Sequence, residues 1–453
     1  MKKNFRFRLA LLVGKTAYRT QKLLRMNASH FPGRLAINIC PDFLGRIDKP
    51  EKIVCVTGTN GKTTACNMML DVLKDCGYDV LNNRAGSNLN AGIATALLSN
   101  STMGGKVHKK LALFEVDERS SKLIYPFIHP DFAVCTNLFR DSLQRNAHTE
   151  YIFNLISDHI PKDTHMILNA DDAISSGLAP SNDRTYYSIA PMDTDHEEDL
   201  NIINDARICP KCYHLLKYDY LRYHHIGHAS CPNCGFTSPE SDYSALPDFE
   251  AKTLTINDGN DKEVYPLITD SIFNTYNQVT AIAVLRELGL SPDEIQKSFS
   301  KVNVLESRYS SAKAGNVEVI THLAKGFNPI ACSCVFEFVS KQQGNKEIIL
   351  MLGDIYGHSH SPEIVTWMYD ADFEYLNQPD ISHLIVCGER CEDYKLRLLL
   401  ANVPEEKISC VPDEKKAHEY LRLDKTEKVF ILHQVYATSA AKIARNKIIE
   451  SLT

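Results

Sequence analysis

The sequence predicts an α/β protein in which a doubly wound parallel sheet carries a phosphate loop. A cysteine ribbon is inserted in that domain, and a smaller Rossmann-like α/β domain follows. Three observations support this reading. Short apolar runs alternate with helical patterns, a glycine-rich turn joins the first run to a helix, and four cysteines fall in two Cys-x-x-Cys knuckles.

The runs follow in order. Lys52–Val56 is compact and apolar, and it ends in the glycine-rich turn that opens a helical pattern over Thr64–Cys76. Lys110–Val116 ends among Glu115, Asp117 and Glu118, Phe132–Thr136 ends at Asn137, and His165–Leu168 ends in Asn169-Ala170-Asp171-Asp172. Ligands of parallel sheets sit at the carboxyl ends of strands, where these polar residues fall. Residues 186–207 read as an acidic loop and 209–235 as a Cys/His/Tyr-rich insertion. Strand-like Ala251–Ile256 and Val264–Ile268 and a helix over Tyr276–Leu288 complete the domain. Apolar runs at Val317–Ile320, Glu347–Leu352, His383–Cys387 and Lys428–Leu432 make the second one. The expected division is a helical lead (1–48), a central phosphate-loop domain (49–304, ribbon about 205–240) and a C-terminal α/β domain (305–453).

Composition narrows the class. At roughly 150 residues per domain, 453 residues suggest about three. With 44% hydrophobic and 23% charged residues the chain is an ordinary globular one, and a net charge of −6 gives no reason to expect nucleic acid as a partner. A secreted disulfide scaffold is not the expected reason for fourteen cysteines, because such scaffolds are short and follow a signal pattern. Met1–Arg8 is basic and Leu9–Gly14 apolar, but that run is too short and is followed by Lys15, Arg19, Lys22 and Arg25. A basic helix over residues 3–26 is expected to pack on the core, with contact to anionic lipid as the alternative. The expected compartment is reducing cytoplasm, free or peripheral at the inner membrane face.

The turn Thr57-Gly58-Thr59-Asn60-Gly61-Lys62-Thr63-Thr64 is the strongest chemical signal. Its glycines let amides converge on a phosphate at a helix N-terminus. Lys62 can reach the β/γ-phosphates of a nucleotide, and the Thr63 hydroxyl can ligate Mg²⁺. Glu115 is the expected second magnesium ligand, with Asp117 and Glu118 as rivals.

Cys209, Cys212, Cys231 and Cys234, with 18 residues between the knuckles, have the spacing of a tetrahedral zinc site. With four protein ligands the site is expected to be structural, a redox pair being the alternative. The other ten cysteines are expected to be core thiols.

Several motifs resemble the Mur ligase family of ATP-dependent amide-bond ligases: Thr57–Thr64, Phe114–Glu118, Thr136–Asp141, Leu168–Asp172 and Phe273-Asn274-Thr275-Tyr276-Asn277. Within it the chain resembles the amidating subunits, through the cysteine ribbon, Leu323–Asn328, Asp370–Glu374 after Trp367, and Cys387–Asp393. The resemblance implies ATP-dependent amidation of the D-glutamate α-carboxyl of lipid II at the inner membrane face, through an acyl phosphate. Ammonia would come from a GatD-like glutamine amidotransferase in a heterodimer. The resemblance assigns Lys62 and Glu115 to catalysis, and Gly58 to Thr64 with Asn274 and Asn277 to the nucleotide. It also implies a C-terminal acid that completes the partner's Cys–His pair, for which Asp354, Glu363 and Asp370 are the candidates. Two other readings stay open: a self-sufficient ligase that joins an amino acid, and an ATP-binding zinc-ribbon protein acting on nucleic acid.

Overall fold

The computed structural model describes residues 1–453 except 85–86, 142–147, 199, 260, 270, 302–308, 354–364 and 453. The chain divides into two compact units. One comprises Met1–Phe139, His148–Asp199 and Asp205–Val302, and the other Arg140–Ala147, Leu200–Asn204 and Asn303–Thr453.

The first unit contains β1 (Lys52–Thr57), β2 (Val80–Asn82), β3 (Leu111–Glu115), β4 (Phe132–Cys135), β5 (His165–Asn169) and β6 (Arg184–Ile189). The hairpin β7 (Lys217–Tyr223) and β8 (Ile226–Ser230) follows, then β9 (Tyr243–Asp248), β10 (Thr253–Asn257) and β11 (Lys262–Pro266). Among the described residues, nine of these strands form one sheet in the order β11-β10-β9-β6-β5-β4-β1-β3-β2. Pairing is parallel from β2 across to β9 and antiparallel for β9-β10-β11. The residue pattern explains the division. In β1 every residue after Lys52 is buried, as expected of a strand covered on both faces, whereas β10 and β11 bury alternate residues.

From β1 the chain goes to one side for β2 and β3, then crosses to the other side for β4. The sheet order therefore reverses at β1, and a crevice opens at its carboxyl end. The helix Lys62–Asp75 starts there and packs beside Ile272–Glu287. The expected loop over 186–207 is corrected at its start. β6 runs to Ile189 because Tyr187 and Ile189 are fully buried and β6 pairs with β5 and β9.

The N-terminal helix Phe5–Leu23 buries Phe7, Ala10, Leu11 and Gly14 and packs on Phe31–Ile39 and Asn90–Ser99. Phe31–Ile39 in turn approaches Asn90–Ser99 closely at Gly33, where an added Cβ would lie 1.9 Å from the Ala91 carbonyl oxygen. Among the described residues no helix is long and apolar enough to cross a membrane.

The second unit holds β12 (Tyr309–Ala314), β13 (Val317–Leu323), β14 (Lys346–Met351), β15 (Ile381–Cys387), β16 (Ile408–Val411) and β17 (Lys428–His433). Their order is β12-β13-β17-β14-β15-β16, parallel except for the edge strand β12. Trp367, Phe336, Phe373 and Tyr394 pack in the core on one side of this sheet.

Candidate nucleotide and metal sites

The phosphate loop connects β1 to the helix that begins at Lys62. Gly58 and Gly61 have φ of +120° and +86°, a region L side chains rarely adopt. Space is closed as well. A Cβ on Gly58 would stand 2.3 Å from Thr136 Oγ1, and one on Gly61 2.0 Å from Asn277 Oδ1. Gly61→Ala is therefore expected to cost about 1–3 kcal/mol of stability and to weaken nucleotide binding at least tenfold. Thermal unfolding and titration with a non-hydrolysable ATP analogue would measure both.

The end of β4 clamps the loop. Asn60 N donates to Asn137 Oδ1 at 3.0 Å and Thr59 N to Asn137 O at 2.8 Å. Phe139 N donates to Thr59 Oγ1 at 2.9 Å, and that hydroxyl donates to Phe139 O at 3.1 Å. Asn277 lies against Gly61 and donates to Asn274 Oδ1 at 3.1 Å, so the helix from Ile272 flanks the loop.

Lys62 Nζ lies 2.6 Å from Glu118 Oε1 and also donates to Gly58 O. Burial alone would lower the ammonium's pKa, but the neighbouring charges of Glu118, Glu115 and Asp117 more than offset it, and Lys62 stays cationic. The Thr63 hydroxyl is exposed and donates to Glu115 Oε2 at 2.8 Å, while Asn88 Nδ2 donates to Glu115 Oε1 at 3.3 Å. Of the three candidate acids, then, Glu115 faces Thr63 and Glu118 faces Lys62. Asp117 is buried and accepts from the Arg119 amide at 3.1 Å. A hydroxyl and a carboxylate at hydrogen-bond distance beside a phosphate loop are the oxygen donors Mg²⁺ takes along with phosphates and water.

The four cysteines converge. Cys209 Sγ and Cys234 Sγ are 3.6 Å apart, Cys212 Sγ and Cys231 Sγ 3.5 Å, and all four sulfurs lie within 4.8 Å of one another. Four thiolates about 2.3 Å from a common zinc would be spaced roughly 3.8 Å apart, so the donor set fits a tetrahedral ion. The Lys211 amide donates to Cys209 Sγ at 3.4 Å. Seven of the other cysteines are buried and three intermediate, in keeping with core thiols.

The hairpin β7–β8 reaches from the cysteines into the first unit's core. Arg222 Nη1 meets Asp171 Oδ2 at 2.7 Å, and Tyr276 Oη donates to the same oxygen at 2.6 Å. His225 Nε2 lies 3.1 Å from Asp172 Oδ1, Asp172 Oδ2 accepts from Leu138 N at 2.8 Å, and the Phe139 and His225 ring centroids are 4.4 Å apart. These contacts run from the insertion to the residues that clamp Thr59. Asp171 and Asp172 are legible in the sequence as a strand end, but their partners Arg222 and His225 are not. Only the run of aromatics and histidines before Ile226 hinted at a buried hairpin tip.

Burial alone would raise the Asp172 carboxyl, but hydrogen bonding and charge from His225, with Ser175 and the Leu138 amide, outweigh it and hold the carboxyl below the usual range. A depressed carboxyl stabilises the fold above its unfolded pKa of about 3.9, and that stabilisation is lost as pH falls through the folded value. Asp172→Asn should therefore lower stability at pH 7 yet flatten the loss below about pH 4. Urea midpoints from pH 7 to 3 for both proteins would show the two curves converging.

In the second unit Asp370 is half-buried at the end of the turn Thr366–Tyr369, and Asp372 accepts from the Ile202 amide at 2.7 Å and from Asn201 Nδ2 at 3.0 Å. Asp354 and Glu363 lie outside the described residues.

Comparison with known proteins fits this geometry. The Mur ligase middle domain family matches residues 56–209, and the MurT ligase C-terminal family matches residues 323–438. The MurT subunit of the glutamine-hydrolysing lipid II isoglutaminyl synthase of Staphylococcus aureus (strain COL) is 32% identical over 397 residues, 87% of this chain and 88% of that protein. This chain belongs to the MurT family. The Streptococcus pneumoniae MurT subunit is 28% identical over 90% of this chain and 89% of its own length. At the level of fold, the MurT-family chain resembles a pseudomurein peptide ligase type C from Methanothermus fervidus (TM-score 0.65, 20% identity, 91% of this chain and 81% of that one). It also resembles MurF from Acinetobacter baumannii (TM-score 0.63, 15% identity, 92% and 80%). Its architecture is the Mur ligase α/β fold with a C-terminal domain, and as a member of that family it is a ligase for which ATP and Mg²⁺ are implied.

Proposed function

We propose that this chain is the ATP-consuming half of an enzyme that amidates the D-glutamate α-carboxyl of lipid II to D-isoglutamine. The relatives' names give the reaction class. The single observation that carries it here is the Thr63–Glu115 pair standing beside Lys62 at the carboxyl end of β1. Residues 49–304 form the ATP-binding domain in this reading, and 305–453 the domain that meets a GatD-like glutamine amidotransferase.

ATP supplies the phosphoryl group that converts the carboxylate to an acyl phosphate, which ammonia then attacks to give the amide and phosphate. The chain's residues position and neutralise. The amides of Gly61 to Thr64 and the Lys62 ammonium would meet phosphate oxygens, the Thr59 and Asn60 amides being held by Asn137; Thr63 and Glu115 would hold Mg²⁺, and Asn274 and Asn277 would border the nucleotide. Glu118 keeps Lys62 charged and aimed before the phosphates take over part of its coordination. Cys209, Cys212, Cys231 and Cys234 hold a structural zinc. One acid among Asp354, Glu363 and Asp370 completes the partner's Cys–His pair, and the pair of subunits works in the cytoplasm at the inner membrane face.

The test uses the purified chain with Mg-ATP, lipid II and ammonium ion. Phosphate release and conversion of carboxyl to carboxamide by mass spectrometry are expected, with no turnover when glutamine replaces ammonium in the absence of a partner. A product heavier by a whole amino acid would establish a self-sufficient ligase instead, and a lack of phosphate release would overturn the proposal.

A further inference from the structure

The helix Phe5–Leu23 has two faces, and the fold uses one. Phe7, Ala10, Leu11 and Gly14 point inward. At about 100° per residue the opposite side carries Phe5, Leu9, Leu12 and Leu23, which are 78%, 41%, 50% and 84% exposed. Such a row of large apolar side chains on the outside of a packed helix is not explained by the core. Leu24 and Met26 extend it past the helix end.

Charge borders the stripe. Arg6 lies on one edge and Arg8 and Arg19 on the other, and none of the three makes an ion pair among the described residues. Residues 1–26 contain eight lysines and arginines and no acid, so the other 427 residues carry a net charge of −14. Two of the eight serve the fold: Lys3 pairs with Asp48 at 2.8 Å, and Lys15 is buried on the Ser101 carbonyl.

We propose that this face docks on an anionic lipid surface, with Phe5, Leu9 and Leu12 among the acyl chains and Arg6, Arg8 and Arg19 at the headgroup phosphates. The occupant follows from the combination. An apolar row between basic edges matches the acyl–phosphate boundary of a bilayer. Nucleic acid would leave the leucines unmatched, and a symmetric second copy would set one positive face against another. The proposal specifies the surface by which the chain meets the membrane in the amidation reading. Its test involves no catalysis, so the two can fail separately.

The full-length protein is sedimented with vesicles of phosphatidylcholine alone and of equal parts phosphatidylcholine and phosphatidylglycerol. Binding to the mixed vesicles only, weakened by salt, is expected. Arg6→Gln and Arg19→Gln should each lower partitioning about fivefold. The triple variant Phe5→Ser, Leu9→Ser, Leu12→Ser should lower it on the order of 100-fold with an unchanged unfolding temperature, because all three side chains face solvent. The proposal is overturned by absence of binding, by equal binding to both vesicles, or by a triple variant that binds as the wild type does. Concentration-dependent dimerisation or oligonucleotide binding that the triple variant abolishes would equally overturn it.

Discussion

Lys62→Ala is expected to lower ATP-dependent phosphate release about a thousandfold or more and, separately, to destabilise the first unit by about 3 kcal/mol. The first effect is loss of a cation aimed at the transferring phosphoryl group. The second comes from Glu118, whose side chain is 3% exposed and has Lys62 as its ion-pair partner at 2.6 Å. Removing the lysine leaves a buried carboxylate without that partner. The local sequence around Lys62 shows no fold partner for it, whereas the ion pair with Glu118 makes the lysine part of the fold as well as of the site. The effects separate in the double variant Lys62→Ala, Glu118→Gln, which should recover most of the lost stability and none of the activity. Urea denaturation and a phosphate-release assay on the single and double variants read the two. Recovery of activity in the double variant would show that Lys62 acts only by neutralising Glu118.

The difference between Lys62 and Glu118 shows what a sequence can disclose. The loop was legible because its glycines, lysine and threonine are contiguous, and backbone geometry at Gly58 and Gly61 dictates residue type locally. The cysteine knuckles were legible for the same reason: ligand spacing within each knuckle is short. Parallel strands such as β1 and β14 stood out as unbroken apolar runs, since both of their faces are buried. The contacts that were missed span long stretches of sequence. Glu118 reaches Lys62 across 56 residues, Asp172 meets His225 across 53, and Asn277 closes on Gly61 from a helix on another part of the sheet. Nothing in the local pattern of either partner reveals such a pairing. β6 was missed because its residues Arg184–Ile189 carry polar side chains and lead into an acidic stretch. Its strand character comes from β5 and β9 on either side.

Cys209→Ser should remove metal and fold from the insertion together and should reach the nucleotide site as well. With one of four thiolates gone, zinc content is expected to fall to near zero, and about 205–240 should become the first region cut by protease, since ordering of so small an insertion is bound up with the metal. The insertion does not end in solvent. Its hairpin tip sets His225 against Asp172, and the other oxygen of Asp172 holds the Leu138 amide, one residue before the Phe139 amide that fixes Thr59. Loosening that tip should therefore weaken binding of a non-hydrolysable ATP analogue about tenfold, although Cys209 touches no residue of the loop. His225→Leu, which leaves the cysteines intact, should keep zinc and lose a similar share of nucleotide affinity. His225→Gln, whose amide can still donate to Asp172, should lose less. Zinc analysis, limited proteolysis and analogue titration on the three variants measure this. Full zinc content in Cys209→Ser would refute the four-cysteine site, and unaltered analogue affinity in His225→Leu would confine the insertion to a structural role at its own end of the domain.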